Sequence, residues 1–152
     1  MASDNSALWP VGGFYFTVNI PDIDDDLECT EVTGLKLKSK NMDYRPGNDP
    51  TFIMMKIPGL KEFENITIKK AIFKQDIKLY DWYKSIQSGD GDQQRKDIIV
   101  TLKDEQGDPI MSWTILKAFP VSYSGPDLKS TDSQIAFESL ELTHQGIDQA
   151  LA

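Results

Sequence analysis

Two residue types that dominate small-protein chemistry are almost missing: the chain has one histidine, His144, and one cysteine, Cys29. A Ser-His-Asp triad needs an imidazole held between a nucleophile and an orienting acid. His144 sits between Thr143 and Gln145 in a strand-like run, and no serine lies in a G-x-S-x-G elbow. A zinc site needs several His or Cys ligands, so one of each does not make one. A lone cysteine cannot close an intrachain disulfide, and the fold must rest on its core and its partners. Cys29 reads as a small residue in or beside a strand. No apolar run approaches the roughly 18 residues of a membrane-spanning helix. Basic residues are also scarce: 16 Lys and Arg stand against 24 Asp and Glu, a net charge of −8. Phosphate contact needs a basic face, so direct nucleic-acid recognition is not expected.

The 152 residues suit one domain, 1–152, with a core from about 10 to 147. Met1-Ala2-Ser3-Asp4-Asn5-Ser6 has no basic cluster, and Pro10 interrupts the short apolar patch from Ala7 to Val11. This is not a secretory signal, so synthesis in the cytoplasm is expected.

Alternation dominates what is present. Phe14, Phe16 and Val18 alternate with Tyr15, Thr17 and Asn19 ahead of Pro21, which makes a two-faced strand. An acidic connection from Asp22 to Glu28 follows. In the next strand, Val32, Leu35 and Leu37 change phase at Gly34, which suggests a bulge or a close backbone approach. Residues 39–60 are rich in turn formers yet hold Tyr44, Phe52, Ile53, Met54 and Met55. So long an excursion needs a job. It is expected either to dock on a neighbour as an arm or to fold back as a hairpin on its own barrel. Ile66-Thr67-Ile68-Lys69 alternates again. Leu79, Trp82, Tyr83 and Ile86 recur at helical spacing and predict one amphipathic helix packed over the sheet, with Asp76 as N-cap and Gly89 as terminator. Asp97 to Leu102 and Ile110 to Ile115 flank the turn Asp104–Pro109 as a hairpin; a bend and a last strand up to Gly146 follow. The expected fold is mainly β: a small antiparallel β-barrel of six or seven strands with one flanking α-helix and a long extended arm.

Partial motifs fail on inspection. Asp22, Asp24 and Asp26 imitate the first ligands of an EF-hand, but Leu27 replaces the required Gly and Thr33 the bidentate Glu. Gly89-x-Gly91 has no following GK[ST], so it is no phosphate loop. Glu138 and Glu141 are three apart and fall on opposite faces of a strand, which counts against an acid-base pair. No catalytic residue, cofactor or metal is expected.

The ordered series Phe14-Tyr15-Phe16-Thr17-Val18, Glu31-Val32-Thr33-Gly34-Leu35, Tyr44-Arg45-Pro46-Gly47, Ile57-Pro58-Gly59-Leu60, Asn65 to Lys70, Leu79-Tyr80-Asp81-Trp82, Arg95-Lys96-Asp97, Trp113, Tyr123 to Leu128 and Glu138 to Gly146 spans nearly the whole chain. It resembles the inner-tube proteins of contractile injection systems and T4-like phage tails. The resemblance implies hexameric rings stacked into a hollow tube, with a sheath protein around it, baseplate and spike proteins at the tip, a terminator or cap protein, and protein cargo in the lumen. It implies assembly in the bacterial cytoplasm and a phage tail-like particle or virion that is released by lysis. It also makes the arm the ring-stacking element, through Tyr44, Arg45, Pro46, Gly47, Phe52, Met54, Met55, Ile57, Pro58, Gly59 and Leu60. The residues leave two other readings open: a small-ligand-binding β-barrel carrier, and a hydrolase using Glu138 or Glu141.

Overall fold

The computed structural model describes residues 10–13, 15–89, 94–131 and 134–152. Phe14, the N-terminal hexapeptide and most of the Gly89–Gln94 loop lie outside the described residues. The strands are β1 (Phe16–Ile20), β2 (Asp24–Leu27), β3 (Cys29–Thr33), β4 (Leu37–Tyr44), β5 (Met55–Phe63), β6 (Ile66–Ala71), β7 (Lys96–Lys103), β8 (Pro109–Ser124), β9 (Phe137–Thr143) and β10 (Ile147–Leu151), and the helix α1 spans Lys78–Gln87. Among the described residues the fold is mainly β, antiparallel, with one helix, as the alternation predicts. The strand count is higher than six or seven. The acidic connection supplies β2, because Leu27 turns inward opposite Val18. β10 runs past residue 147, and the arm adds two strands. Conversely, the runs around 110–115 and 119–123 are one strand, β8.

β8 is the spine. Its first half pairs with β7 on one edge and β10 on the other (Ile98↔Ile115, Ile147↔Ile115). Lys117 then takes a positive φ of 51°, and the second half pairs with β9 (Phe119↔Thr143, Ser124↔Ser139). The full path is β2-β1-β7-β8-β9-β6-β3. Its two ends are neighbours in the chain, since only Glu28 separates β2 from β3. The chain itself crosses the seam, where no strand pairing closes it.

Period-2 alternation builds the core. β6 and β9 bury every second residue, Ile66 and Ile68 against Leu140 and Leu142. Val18, Ile20, Leu27, Ile98, Val100, Ile115 and Ala118 complete the interior, with Leu79 and Trp82 from α1. Tyr83 and Ile86 pack against that core while partly exposed. α1 lies on β8, and the Trp82 indole N–H donates to the Gln94 carbonyl at 2.9 Å. The N-cap differs from the expectation. Ile77 holds that position, and Asp76 lies one residue earlier, accepting from the Lys78 N–H at 3.3 Å. The other Asp76 oxygen is drawn to Lys70 at 3.3 Å, which fixes it outside the cap. Gly89 follows the helix at φ +99°.

Lys70 is the unusual core residue. It continues the inward series of Ile66 and Ile68 and is 1% exposed. Its ammonium group donates to Glu138 Oε1 at 3.0 Å and to the Ala71 carbonyl at 2.9 Å, and Tyr123 donates to Glu138 Oε2 at 2.5 Å. Removing one member of a buried ion pair strands the other. Glu138→Leu should therefore cost about 3–5 kcal/mol in chemical denaturation, and Lys70→Met/Glu138→Leu should cost less than that single change.

Burial pushes the Cys29 thiol up to about 12. Tyr123 is likewise raised to about 12, by burial first and then by its hydrogen bond to Glu138. Both groups keep their protons in the fold over a range where the unfolded chain, with ordinary values of 9.0 and 10.0, has lost them. Their contribution to stability is complete below the unfolded values and is lost as pH rises towards about 12. Through these two groups, denaturation midpoints measured against pH should fall on the alkaline side. A thiol reagent at neutral pH should label Cys29 only after unfolding.

A candidate assembly arm

β4 and β5 form a separate two-stranded sheet. Both of its roots sit on one contact. Gly34 ends β3 at φ +94°, and a Cβ there would lie 2.3 Å from the Asn65 carbonyl oxygen, just before β6 begins. Only glycine lets the outgoing chain pass this close to the returning one. His144 braces the same place. The Gly146 N–H donates to its Nδ1 at 3.2 Å, so the proton resides on Nε2, which meets the Glu64 carbonyl at 2.9 Å. The ring also lies 5.4 Å from that of Phe63. The only histidine is thus a structural brace at the base of the arm.

Beyond its root the hairpin stands clear of the main sheet. Every residue of β4 is exposed, as are most of β5. It has not folded back onto its own sheet. Facing residues share a side of an antiparallel pair. Met42 faces Ile57 and Tyr44 faces Met55, so these four form one apolar surface; Asp43 and Lys56 lie on the other side. The register slips between Ser39 and Asn41, where the Lys40 carbonyl comes so near Gly59 that a Cβ there would lie 2.2 Å from its oxygen. Pro58 offers no N–H to an edge partner.

The connecting loop is internally ordered. Arg45 donates to the Asp49 carbonyl at 2.8 Å, and its guanidinium lies 5.1 Å from the Phe52 ring centroid. Asp49 N–H donates to the Pro46 carbonyl at 3.1 Å, while Gly47 lies at the exposed turn. The Asp49 carboxylate accepts from the Thr51 N–H and hydroxyl, which lowers its pKa. Around this frame Phe52 is 83% exposed and Leu60 81%, with Ile53, Met54 and Met55 also open to water. All eleven arm residues singled out by the sequence belong to this hairpin and its loop.

The other candidates take no part in it. Glu138 is buried with Lys70, and Glu141 accepts from Asn65 Nδ2 at 2.9 Å on the opposite face of β9. For a carrier, the interior is occupied by fully buried side chains. One groove of about 390 Å³, lined in part by Glu31, Lys69 and Phe137, is open to solvent rather than enclosed.

Residues 12–148 match the T4-like virus tail tube protein gp19 family model. This chain belongs to that family. It is a tail-tube structural subunit, and the family is one of structural proteins. Among solved structures, a chain of an extracellular contractile injection system, the PVC sheath-tube complex in its extended state, superposes with a TM-score of 0.87 at 27% identity, over 100% of this chain and 99% of that one. A chain of the anti-feeding prophage tube-terminating cap gives 0.84 at 28%, over 95% and 93%. Hcp1 from Flavobacterium johnsoniae shares the fold at 0.53 and 12%, over 90% and 94%. No curated protein matches the sequence.

The apolar face of this tube subunit's arm makes no contribution to its own core. Replacing Tyr44 and Met55 together by serine should leave the denaturation midpoint of the unassembled protein within about 0.5 kcal/mol of the parent.

Proposed function

We propose that this tube subunit forms hexameric rings that stack through the arm into the inner conduit of a contractile injection system or phage tail. The observation that carries this is the uncovered apolar side of β4–β5. A two-stranded hairpin is marginal in water, and one with Met42, Tyr44, Met55 and Ile57 on a single open face needs a cover. Ring closure by a heterologous contact, repeated along an axis, supplies the same cover to every copy.

In this reading the tube carries sheath protein outside and protein cargo within. It begins on baseplate and spike proteins and ends at a terminator or cap. Structures containing a sheath-tube complex, a tube-terminating cap and a baseplate support those partners. The particle assembles in the bacterial cytoplasm and acts once released. A net charge of −8 per subunit accumulates around each ring, and any acids facing the lumen make it repel nucleic acid.

Negative-stain electron microscopy of the purified chain, with a baseplate added as template, should show six-fold rings and hollow tubes. Replacing residues 39–60 by a short turn should leave a folded subunit that forms no long tubes. Normal tubes from that deletion would overturn the role of the arm.

A further inference from the structure

The arm differs from the rest of the molecule in charge. Residues 36–63 carry five lysines and one arginine against two aspartates and one glutamate, a net +3. The whole chain is −8, so everything outside this segment totals −11. Among the described residues Lys38, Lys40 and Lys61 form no ion pair, whereas Lys56 meets Asp43 and Lys36 meets Glu64.

The opposite charge is concentrated at the seam. Residues 22–31 hold six acids and no base. Asp24 is engaged by Lys78 at 2.8 Å, and Asp22 lies 3.7 Å from Lys96. Asp25, Asp26, Glu28 and Glu31 are exposed and unpaired among the described residues. The same segment is also where the sheet stops. Among the described residues β2 pairs only with β1 and β3 only with β6, so each leaves a row of backbone donors and acceptors unused. Like charge keeps two such edges apart, while a lysine-bearing strand is attracted.

We propose that the acidic β2–β3 edge of one copy is the seat for the basic arm of another copy. This rests on the reading of the arm as an assembly element and names the surface that receives it. Two separate features select the partner: the unpaired strand edge calls for a strand, and the four free carboxylates call for one rich in lysine. The arm also has unpaired edges, since β4 and β5 pair only with each other. The apolar face of the arm supplies burial, and the charges choose where it lands.

Charge reversal tests this. Lys38→Glu/Lys40→Glu/Lys61→Glu should reduce sedimentable tube about tenfold or more, and Asp25→Lys/Asp26→Lys/Glu28→Lys should do the same. Combining all six changes in one chain restores opposite signs and should restore tubes. So should mixing the two triple variants, because each arm then finds an opposite edge. A carbodiimide, which joins lysine amines to neighbouring carboxylates, should link the arm lysines of native tubes to Asp25, Asp26, Glu28 or Glu31 of another copy. This readout needs no variant to fold. Folded triple variants that assemble normally, or arm cross-links that fall only elsewhere, overturn the seat. If the arm deletion still abolishes tubes in that case, the arm keeps its role and only its landing place is wrong. Tubes from the arm deletion itself would remove both.

Discussion

Burying an ammonium group obliges a fold to bring the counter-charges to it. Lys70 does this from the inward face of β6. Glu138 answers from β9, Tyr123 from β8 through Glu138, and Asp76 from the segment that leads into α1. Four elements are thereby held in one register. Shifting β6 by one residue would send Lys70 to solvent and strand Glu138 in the core, so the pair penalises the slips that an alternating sheet otherwise tolerates. The bent β8 passes this fixed geometry on to β7 and β10. The helix joins the same body through Asp76 as well as through Leu79 and Trp82.

The arm obeys the opposite rule. The body buries an alternating apolar core and pairs its two internal charges, Lys70 and Glu138. The hairpin leaves large apolar side chains in water and stands on a base no wider than Gly34, Asn65 and the His144 brace. A rigid body with an uncovered projection is a part of something larger. Family membership says what that is, and the physical division between body and arm says why the isolated chain is incomplete.

Much of this was legible in the sequence. Strict alternation at 66–71 and 137–143, helical spacing from Leu79 to Ile86, and the apolar residues inside a turn-rich excursion identify strands, helix and arm. The missed features share a cause: pairing between distant segments leaves no local signature. The Lys70–Glu138 pair had a faint one, since period 2 places Lys70 in line with Ile66 and Ile68, and Glu138 in line with Leu140 and Leu142. β2 was hidden because three aspartates in a row look like a loop, although Leu27 alone needed burial. The work of His144 depends on Glu64, 80 residues away. Asp76 was misplaced by one position because its attraction to Lys70 is tertiary.

The alternation of the hairpin has a further consequence for how such parts diversify. Its apolar side is defined by residues two apart on each strand, so inserting one residue into β4 and one into β5 turns that side over. Related arms that keep the same face outward without a further bulge therefore differ in reach by whole pairs of residues per strand, steps of about 6.8 Å. Away from a bulge, the reach of this hairpin is graduated like a ruler, not freely adjustable.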